Sequence, residues 1–359
     1  MIEQDFICTD DFEANGIVKW NSPSNIALVK YWGKKDNQIP QNPSISFTLS
    51  ESYTTTSVEF KPKKNNNNNI LFDFEGEKNH PFGQKIKLFI SSIEKYFKFL
   101  KNHDIHIKSQ NNFPHSSGIA SSASGFSAIA LAIVELEQEI TGFSENDKYL
   151  KASFLSRLGS GSASRSLYGP AAIWGLHEKV PNSSNEFAIE HSDLHQDFKS
   201  YQDTILLIDK GTKKVSSTAG HDLMNNHPFS KQRFFQAYEN LESMIEILKN
   251  GDLEKFISLS ESEALTLHAM MMTSNPYFLL MKEGTLSAIE KVWSFRKESD
   301  IPLSFTLDAG ANLHLLYPKA YKQKVLDFIE GELIVYCEKE HYICDEVGSG
   351  AKILKANYA

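Results

Sequence analysis

The order of strand-like and helix-like segments restricts the fold of this 359-residue chain more than any other feature of its sequence. Residues 17–60 contain alternating and β-branched runs that predict strands, and residues 83–100 carry apolar side chains at helical spacing. Between residues 201 and 359, strand-like runs alternate with helical stretches, the longest of which is broken at "NGD" (250–252). This order predicts an α+β fold in which helices cover an antiparallel sheet.

One segment joins a polar loop to a helix. The run "NNFPHSSGIASSASG" (111–125) is rich in serine and glycine, and apolar residues then recur at helical spacing: Phe126, Ile129, Ile133, Leu136 and Ile140. We expect this helix face to pack on the core. The loop has two interpretations, because serine and glycine are ordinary capping residues, whereas backbone amides at a helix N-terminus also bind anions. Two further small-residue loops are present, "GSGSASRSLYG" (159–169) and "VSSTAGH" (215–221).

A low-complexity tract, "KPKKNNNNN" (61–69), follows the first strand-like region. Strand-like alternation resumes directly after it in "ILFDFEG" (70–76). We therefore predict that the tract forms a hairpin tip or a mobile surface loop rather than a linker between domains.

Composition excludes several classes of protein. The net charge of −8, from 37 basic and 45 acidic residues, argues against nucleic acid as a partner. No window approaches the ~18 uninterrupted apolar residues of a membrane span, and the acidic N-terminus lacks the pattern of a secretory signal. The three widely spaced cysteines support neither a disulfide scaffold nor a zinc site. We expect a cytoplasmic protein that binds neither nucleic acid nor membranes.

Two familiar nucleotide-binding motifs are absent from the sequence. There is no Walker-type glycine-lysine loop, and "GSGSAS" (159–164) lacks the third glycine of a dinucleotide-binding fingerprint. That segment also follows a helical pattern instead of a strand, so a Rossmann fold is not favoured. A phosphate site in this chain would need a different loop.

Several residues of chemically useful type lie near the small-residue loops. Asp308 ends an apolar strand, where a base could orient a hydroxyl, although a turn-capping aspartate has the same signature. Arg165 could pair with a carboxylate or phosphate, and the alternative is a surface arginine. At least one of Lys30, Lys34 and Lys35 could contact phosphate. The histidines show no metal-ligand spacing, so we expect structural or surface roles for them.

Four motifs together resemble the GHMP superfamily of small-molecule kinases and, within it, the diphosphomevalonate decarboxylase family. They stand in the family's order and span nearly the whole chain: "SNIALVKYWGKKD" (24–36), "NNFPHSSGIASSASG" (111–125), "SGSASRSLYG" (160–169) and "LDAGAN" (307–312). The second motif marks the superfamily, whereas the first and third mark the decarboxylase branch. The resemblance implies a GHMP kinase fold with a ribosomal-protein-S5-like domain (1–200), a ferredoxin-like domain (201–359) and a deep cleft between them.

The resemblance also implies a reaction. It is the ATP-dependent decarboxylation of mevalonate 5-diphosphate to isopentenyl diphosphate, in which ATP phosphorylates the 3-hydroxyl and phosphate leaves as the carboxylate is lost. Both steps depend on control of charge. ATP and Mg²⁺ would be required, and a homodimer is expected. The alternatives are a mevalonate 5-phosphate decarboxylase, a mevalonate 3-kinase and a ligand sensor; the presence of both Asp308 and Arg165 favours decarboxylation.

The resemblance assigns a role to each matching residue. Asp308 would orient or deprotonate the 3-hydroxyl, and Arg165 would hold the substrate carboxylate. The substrate-binding positions are Tyr31, Trp32, Gly33, Lys34, Ser160, Gly161, Ser162, Ala163, Ser164, Arg165, Ser217 and Thr218. The ATP-binding positions are Asn112, Ser116, Gly118, Ser121 and Ser122. Magnesium would be held through phosphates, with Ser121 or Ser122 as a candidate ligand and no dedicated protein cluster.

Overall fold

The computed structural model describes residues 3–64, 70–78, 80–114, 119–211 and 217–358. Its strands are β1 (Gly16–Val29), β2 (Ser44–Pro62), β3 (Ile70–Phe74), β4 (Glu77–Lys78), β5 (His103–Asn111), β6 (Ala171–Trp174), β7 (Ala188–His191), β8 (Gln202–Leu206), β9 (Ser304–Thr306), β10 (Leu313–Tyr317), β11 (Tyr342–Glu346) and β12 (Lys352–Tyr358). Its α-helices are α1 (Phe82–Ile93), α2 (Ser121–Thr141), α3 (Glu145–Gly159), α4 (Ser217–Asp222), α5 (Ser230–Asn250), α6 (Leu253–Met272), α7 (Glu283–Ser299) and α8 (Lys322–Phe328). None of the helices in this part of the chain has the length and apolar character that a membrane span requires.

The first sheet contains strands from both ends of the described chain. Across the described ranges it has eight strands in the order β12–β1–β2–β5–β3–β4, with β6 beside β2 and β7 beside β6. Strand β12, which we did not predict, pairs antiparallel with β1, and Gly16 lies opposite Tyr358. Six of its seven residues are exposed, so it lacks the alternating apolar pattern that identifies a strand in a sequence. The division of the chain at residues 200 and 201 stays a prediction.

Strand β3 corrects the hairpin prediction for residues 61–69. Strand β2 pairs with β5 instead of with β3, and β3 lies on the far side of β5. There it runs parallel to β5, with Ile70 opposite Ile105. A hairpin tip is therefore wrong, because the strands that flank the tract do not pair. Residues 65–69 themselves lie outside the described residues.

Helix α2 packs on the first sheet, as its periodicity predicted. Four of the five residues of the predicted face are buried: Phe126, Ile129, Ile133 and Leu136. Ile140 is 45% exposed, so its predicted core position is wrong. It lies in the last turn, just before the helix ends at Gly142 in the left-handed conformation, where the helix has passed beyond the core.

Buried hydroxyl groups also join α2 to the sheet beneath it. The hydroxyl oxygens of Ser127 and Ser22 are 2.5 Å apart, and those of Ser124 and Thr54 are 2.5 Å apart. Ser22 also donates a hydrogen bond to the Ser166 carbonyl at 2.8 Å. Because a buried hydroxyl without a partner costs free energy, these contacts fix the rotation of α2 on the sheet.

The second sheet has the order β11–β8–β10–β9 in the described chain, and its neighbours are antiparallel. Helices α5 and α6 are separated at Gly251, which confirms the predicted break at "NGD". The Asp345 carboxylate on β11 accepts hydrogen bonds from the backbone N–H groups of Ser50, Glu51 and Ser52 at 2.7–2.8 Å. These bonds connect β11 to β2 of the first sheet. The two sheets and their covering helices confirm the predicted α+β class.

Candidate active site

The end of β1 meets the turn after β9 at a pair of opposite charges. Lys30 Nζ lies 3.0 Å from Asp308 Oδ1, with the Lys30 side chain 1% exposed and the Asp308 side chain 30% exposed. Burial lowers the pKa of Lys30, and the Asp308 carboxylate opposes that shift. The ion pair thus consists of a buried ammonium group and a carboxylate that is partly exposed to solvent. Of the three lysines that we considered for phosphate binding, Lys30 is the one that contacts Asp308.

A buried carboxylate on α6 holds the backbone of Lys30. Glu263 accepts a hydrogen bond from the Lys30 N–H at 2.8 Å and two from the Arg233 guanidinium at 2.8 and 2.5 Å. Asn240 donates a fourth at 2.6 Å. Since Glu263 and Arg233 are both buried, removal of either of these two side chains would leave the charge of the other without compensation. This network fixes the strand end from which Lys30 reaches Asp308.

The Asp308 backbone is held from the other side. Its carbonyl accepts hydrogen bonds from the Gly310 N–H at 2.7 Å and from His268 Nε2 at 3.1 Å. His268 is buried, and burial lowers its pKa from 6.5 to about 4. The imidazole is therefore neutral at physiological pH, with its proton on Nε2.

The His268 shift predicts an acid-sensitive contribution to stability. The unfolded chain takes up this proton near pH 6.5 and the folded chain only near pH 4, so the contribution is complete above pH 6.5 and is lost as the pH falls. Between about pH 7.5 and about pH 5, His268 should account for about 2 kcal/mol of lost unfolding free energy. His268→Gln keeps an N–H donor without a titrating group, so chemical denaturation at both pH values should show a smaller loss. An equal loss in the variant would contradict the shift.

Arg165 lies in a short 3₁₀ turn, Gly161–Arg165, and is buried. Its guanidinium donates hydrogen bonds to Ser44 Oγ at 2.7 Å, Ser46 Oγ at 3.1 Å and Asn25 Oδ1 at 3.3 Å. These acceptors are neutral, and in the described ranges no carboxylate forms a hydrogen bond with the guanidinium. Burial lowers the pKa of Arg165 to about 10, which leaves it charged at neutral pH. The surface-arginine alternative is wrong, and this cation is suited to an incoming anion.

Tyr31 packs against the same turn. Its ring centroid is 4.7 Å from that of Trp174, and the Arg165 guanidinium carbon is 5.8 Å from the Trp174 ring. A Cβ atom on Gly161 would lie 2.7 Å from the Tyr31 hydroxyl oxygen, so the close approach requires glycine at this position. Within the described residues the buried Tyr31 hydroxyl has no hydrogen-bond partner. A ligand that enters beside Arg165 could supply one.

The other predicted residues of the 3₁₀ turn mainly shape it. The Ala163 N–H donates to the Ser160 carbonyl at 2.9 Å, and Ser164 Oγ donates to the Gly161 carbonyl at 2.8 Å. Ala163 and Ser164 are buried, whereas Ser162 is partly exposed. Ser160, which precedes the turn, is also partly exposed. The side chains of Ser160 and Ser162 are therefore the best placed of this group to meet a ligand.

The segment after β1 carries the remaining predicted substrate positions. Trp32 is buried in an apolar cluster, and Gly33 has φ +102°. Lys34 Nζ donates to Gln38 Oε1 at 2.9 Å, and burial lowers the Lys34 pKa. The other predicted positions in this group, Ser217 and Thr218, begin α4, but their side chains lie outside the described residues.

The predicted ATP-binding residues are only partly described. Ser121 is the first residue of α2 and Ser122 follows it, both partly exposed, whereas Ser116 and Gly118 lie outside the described residues. Asn112 is bonded to β2, because its Oδ1 accepts from the Tyr53 N–H at 2.8 Å and its amide group donates to the Glu51 carbonyl. The ATP role of these residues stays a prediction.

Several residues of the site were not predicted from the sequence. Some of them belong to motifs or neighbouring loops that we quoted, such as Asn25 and His221. Only their position in these segments could have indicated that they belong to the site. The others come from distant helices or from β2 and carry no local pattern: Ser44, Ser46, Arg233, Glu263 and His268.

The residues of this site lie in two stretches of the chain, and each stretch matches a known protein family. Residues 22–186 match the family model of the diphosphomevalonate decarboxylase-like N-terminal domain, and residues 204–354 match that of the mevalonate 5-diphosphate decarboxylase C-terminal domain. The chain is 30% identical to a diphosphomevalonate decarboxylase from Debaryomyces hansenii, over 86% of this chain and 81% of the relative. These matches include all four motifs described above.

Solved structures give the same result for the fold. The chain superimposes on mevalonate diphosphate decarboxylase from Staphylococcus aureus with a TM-score of 0.82 and 29% identity, over 95% of this chain and 98% of that one. A complex of the protein called MDDEF with MVAPP, AMPPCP and magnesium gives 0.81 and 28%, over 95% and 99%. The predicted GHMP kinase fold is confirmed, and the chain belongs to the diphosphomevalonate decarboxylase family.

Proposed function

We propose that this protein is an enzyme that converts mevalonate 5-diphosphate and ATP to isopentenyl diphosphate, ADP, phosphate and CO₂. The observation that carries the proposal is the buried Arg165, which is bonded to neutral acceptors and is near enough to Asp308, the partner of Lys30, for the two charges to interact. A cation that can bind a carboxylate therefore lies close to a base that can accept a proton. This combination suits a substrate that carries both a carboxylate and a hydroxyl group.

In the first step, Asp308 orients the 3-hydroxyl and accepts its proton as the oxygen attacks the γ-phosphorus of ATP. The new O–P bond forms while the bond from the γ-phosphorus to the bridging oxygen breaks, and ADP leaves with that electron pair. Lys30, held 3.0 Å from Asp308, keeps the carboxylate in place and places positive charge beside the reacting oxygen. Electrostatic positioning of this kind is the main source of catalysis in phosphoryl transfer.

In the second step, the phosphorylated tertiary carbon loses phosphate together with its bonding pair. The C–C bond to the carboxylate then breaks, its electrons form the double bond of the product, and CO₂ leaves. Arg165 binds and orients the carboxylate up to this point. Because its three hydrogen-bonded partners are neutral, the substrate carboxylate does not have to displace a hydrogen-bonded protein carboxylate from the guanidinium.

We assign the ATP phosphates to the N-terminus of α2. This helix has 21 residues, and the amide dipoles at its start favour negative charge. Magnesium would be held mainly by phosphate oxygens, with a hydroxyl from Ser121 or Ser122 at the partly exposed start of α2 as a candidate ligand. When bound, magnesium would neutralise charge on the phosphates.

We assign the diphosphate end of the substrate to Tyr31, Lys34, Ser217 and Thr218. The buried hydroxyl of Tyr31 and the partly buried ammonium of Lys34 support this assignment. We also propose a cytoplasmic location, as expected from the sequence pattern, and a homodimer, which the family resemblance implies. Light scattering of the purified protein should give twice the mass of one chain.

Side-by-side assays test the substrate assignment. With ATP and Mg²⁺, CO₂ release from mevalonate 5-diphosphate should have a kcat/KM at least ~100-fold above that from mevalonate, since two charge-assisted contacts contribute about 3 kcal/mol or more. The 5-phosphate should lie between them. If kcat/KM were highest with mevalonate 5-phosphate, the enzyme would be a mevalonate 5-phosphate decarboxylase instead. Phosphorylation of the substrate without CO₂ release would indicate a 3-kinase. Binding of both ligands without any reaction would indicate a sensor.

A further inference from the structure

A histidine outside the predicted site lies between two of its aromatic residues. The ring centroid of His221 is 4.3 Å from that of Tyr31 and 4.6 Å from that of Trp32. The residue before it, Gly220, packs on Trp32 so closely that a Cβ atom there would lie 2.6 Å from the indole. Helix α4 is therefore held against the segment that follows β1.

One hydrogen bond fixes the state of this imidazole. The Gly33 backbone N–H donates to His221 Nδ1 at 2.9 Å, so Nδ1 is an acceptor and the proton of the neutral ring is on Nε2. Burial, together with the nearby cations Lys34 and Arg165, lowers the pKa of His221 to about 3. The ring is thus neutral at any pH at which the protein is assayed.

The hydrogen bond to His221 Nδ1 comes from Gly33, where the backbone turns. Gly33 has φ +102°, and a Cβ atom there would lie 2.8 Å from the Phe234 ring. The turn separates Tyr31 from Lys34, so its geometry sets the direction in which each side chain leaves the backbone. A buried N–H without its acceptor would favour another backbone conformation.

We propose that His221 is a positioning residue whose Nδ1 fixes the Tyr31–Lys34 segment for the diphosphate end of the substrate. This inference rests on the proposed function and deepens it. His221 acts through Gly33 and through its packing against the Tyr31 and Trp32 rings, instead of through contact with reacting atoms. Because it belongs to α4, it also ties the start of that helix, where Ser217 and Thr218 lie, to the same segment.

Two complementary variants separate the acceptor from the ring. His221→Asn places an amide oxygen where Nδ1 lies and removes the ring, whereas His221→Phe keeps an aromatic ring without an acceptor. We expect His221→Phe to raise the KM for mevalonate 5-diphosphate by ~5–10-fold with kcat within about twofold, because one hydrogen bond is lost. His221→Asn should restore the KM to within about threefold. A normal His221→Phe enzyme, or equal impairment of both variants, would overturn the proposal.

A second measurement does not depend on turnover or on variants. In the free wild-type protein, ¹⁵N NMR of the imidazole should show the neutral tautomer with the proton on Nε2, and the Gly33 amide should exchange slowly with solvent. An Nδ1–H tautomer, an imidazolium or a rapidly exchanging Gly33 amide would overturn the role of His221. If the NMR result holds while the wild type releases no CO₂ from mevalonate 5-diphosphate, the proposed function fails and the Gly33 contact stands.

Discussion

Asp308→Asn should lower kcat by about 10³-fold while the protein still folds and binds ATP, since general-base catalysis contributes ~10²–10⁴-fold. The amide cannot accept the proton of the 3-hydroxyl. It does keep an oxygen that can accept the hydrogen bond from Lys30, which now lies 3.0 Å from Asp308 Oδ1. Steady-state CO₂ release and ATP binding by calorimetry measure the two quantities separately.

Thermal unfolding of the same variant is the necessary control. Lys30 is sealed from solvent, so the loss of its anionic partner should lower the melting temperature without unfolding the protein at 25 °C. A near-normal rate in a folded Asp308→Asn enzyme would remove Asp308 from the chemistry. Loss of ATP binding would instead assign it to the nucleotide site.

Arg165→Ala should lower kcat by ~100-fold or more, because it removes a charge-assisted contact to the carboxylate that reacts. The structure predicts this result because the guanidinium is buried and its three protein partners are neutral. A loss that appears in kcat, and not only in KM, would place the interaction in the transition state. The measurement is initial-rate CO₂ release over a range of mevalonate 5-diphosphate concentrations.

Arg165→Lys is the matched control for charge. The ammonium keeps the positive charge but cannot reproduce the planar fork that reaches Ser44, Ser46 and Asn25 together. We expect an intermediate kcat for this variant. An unchanged kcat with only a raised KM in Arg165→Ala would mean that Arg165 binds a part of the substrate remote from the reaction.

Local periodicity was sufficient to predict most strands and helices but not all of their pairings. Helices α2, α3 and α5 follow from apolar spacing and from glycine at their C-terminal ends, and α6 follows from the helical pattern after the break at Gly251. The parallel pairing of β3 with β5 depends on which edge of the sheet is available. The sequence near β3 does not indicate which edge that is. Strand β12 was missed because its exposed residues have no buried face.

The active-site residues likewise fall into those that a local motif predicts and those that come from distant parts of the chain. Asp308, Arg165 and Tyr31 lie in motifs that can be recognised in the sequence, and the structure brings them together. Glu263 and Arg233 could not be predicted, because charged residues at helical spacing normally indicate a solvated helix face. Their burial results from the packing of α5 and α6 at the end of β1, where both side chains bond the Lys30 backbone across more than 200 residues.

The return of β12 to the first sheet has a consequence for movement. The chain crosses from the first sheet to the second between β7 and β8, and it crosses back between β11 and β12. Two covalent connections therefore join the sheets, and Asp345 adds hydrogen bonds beside the second of them. Any rotation of one sheet relative to the other has to bend the backbone at both crossings at once. We therefore expect the two connections together to limit any opening of the site around Asp308 and Arg165.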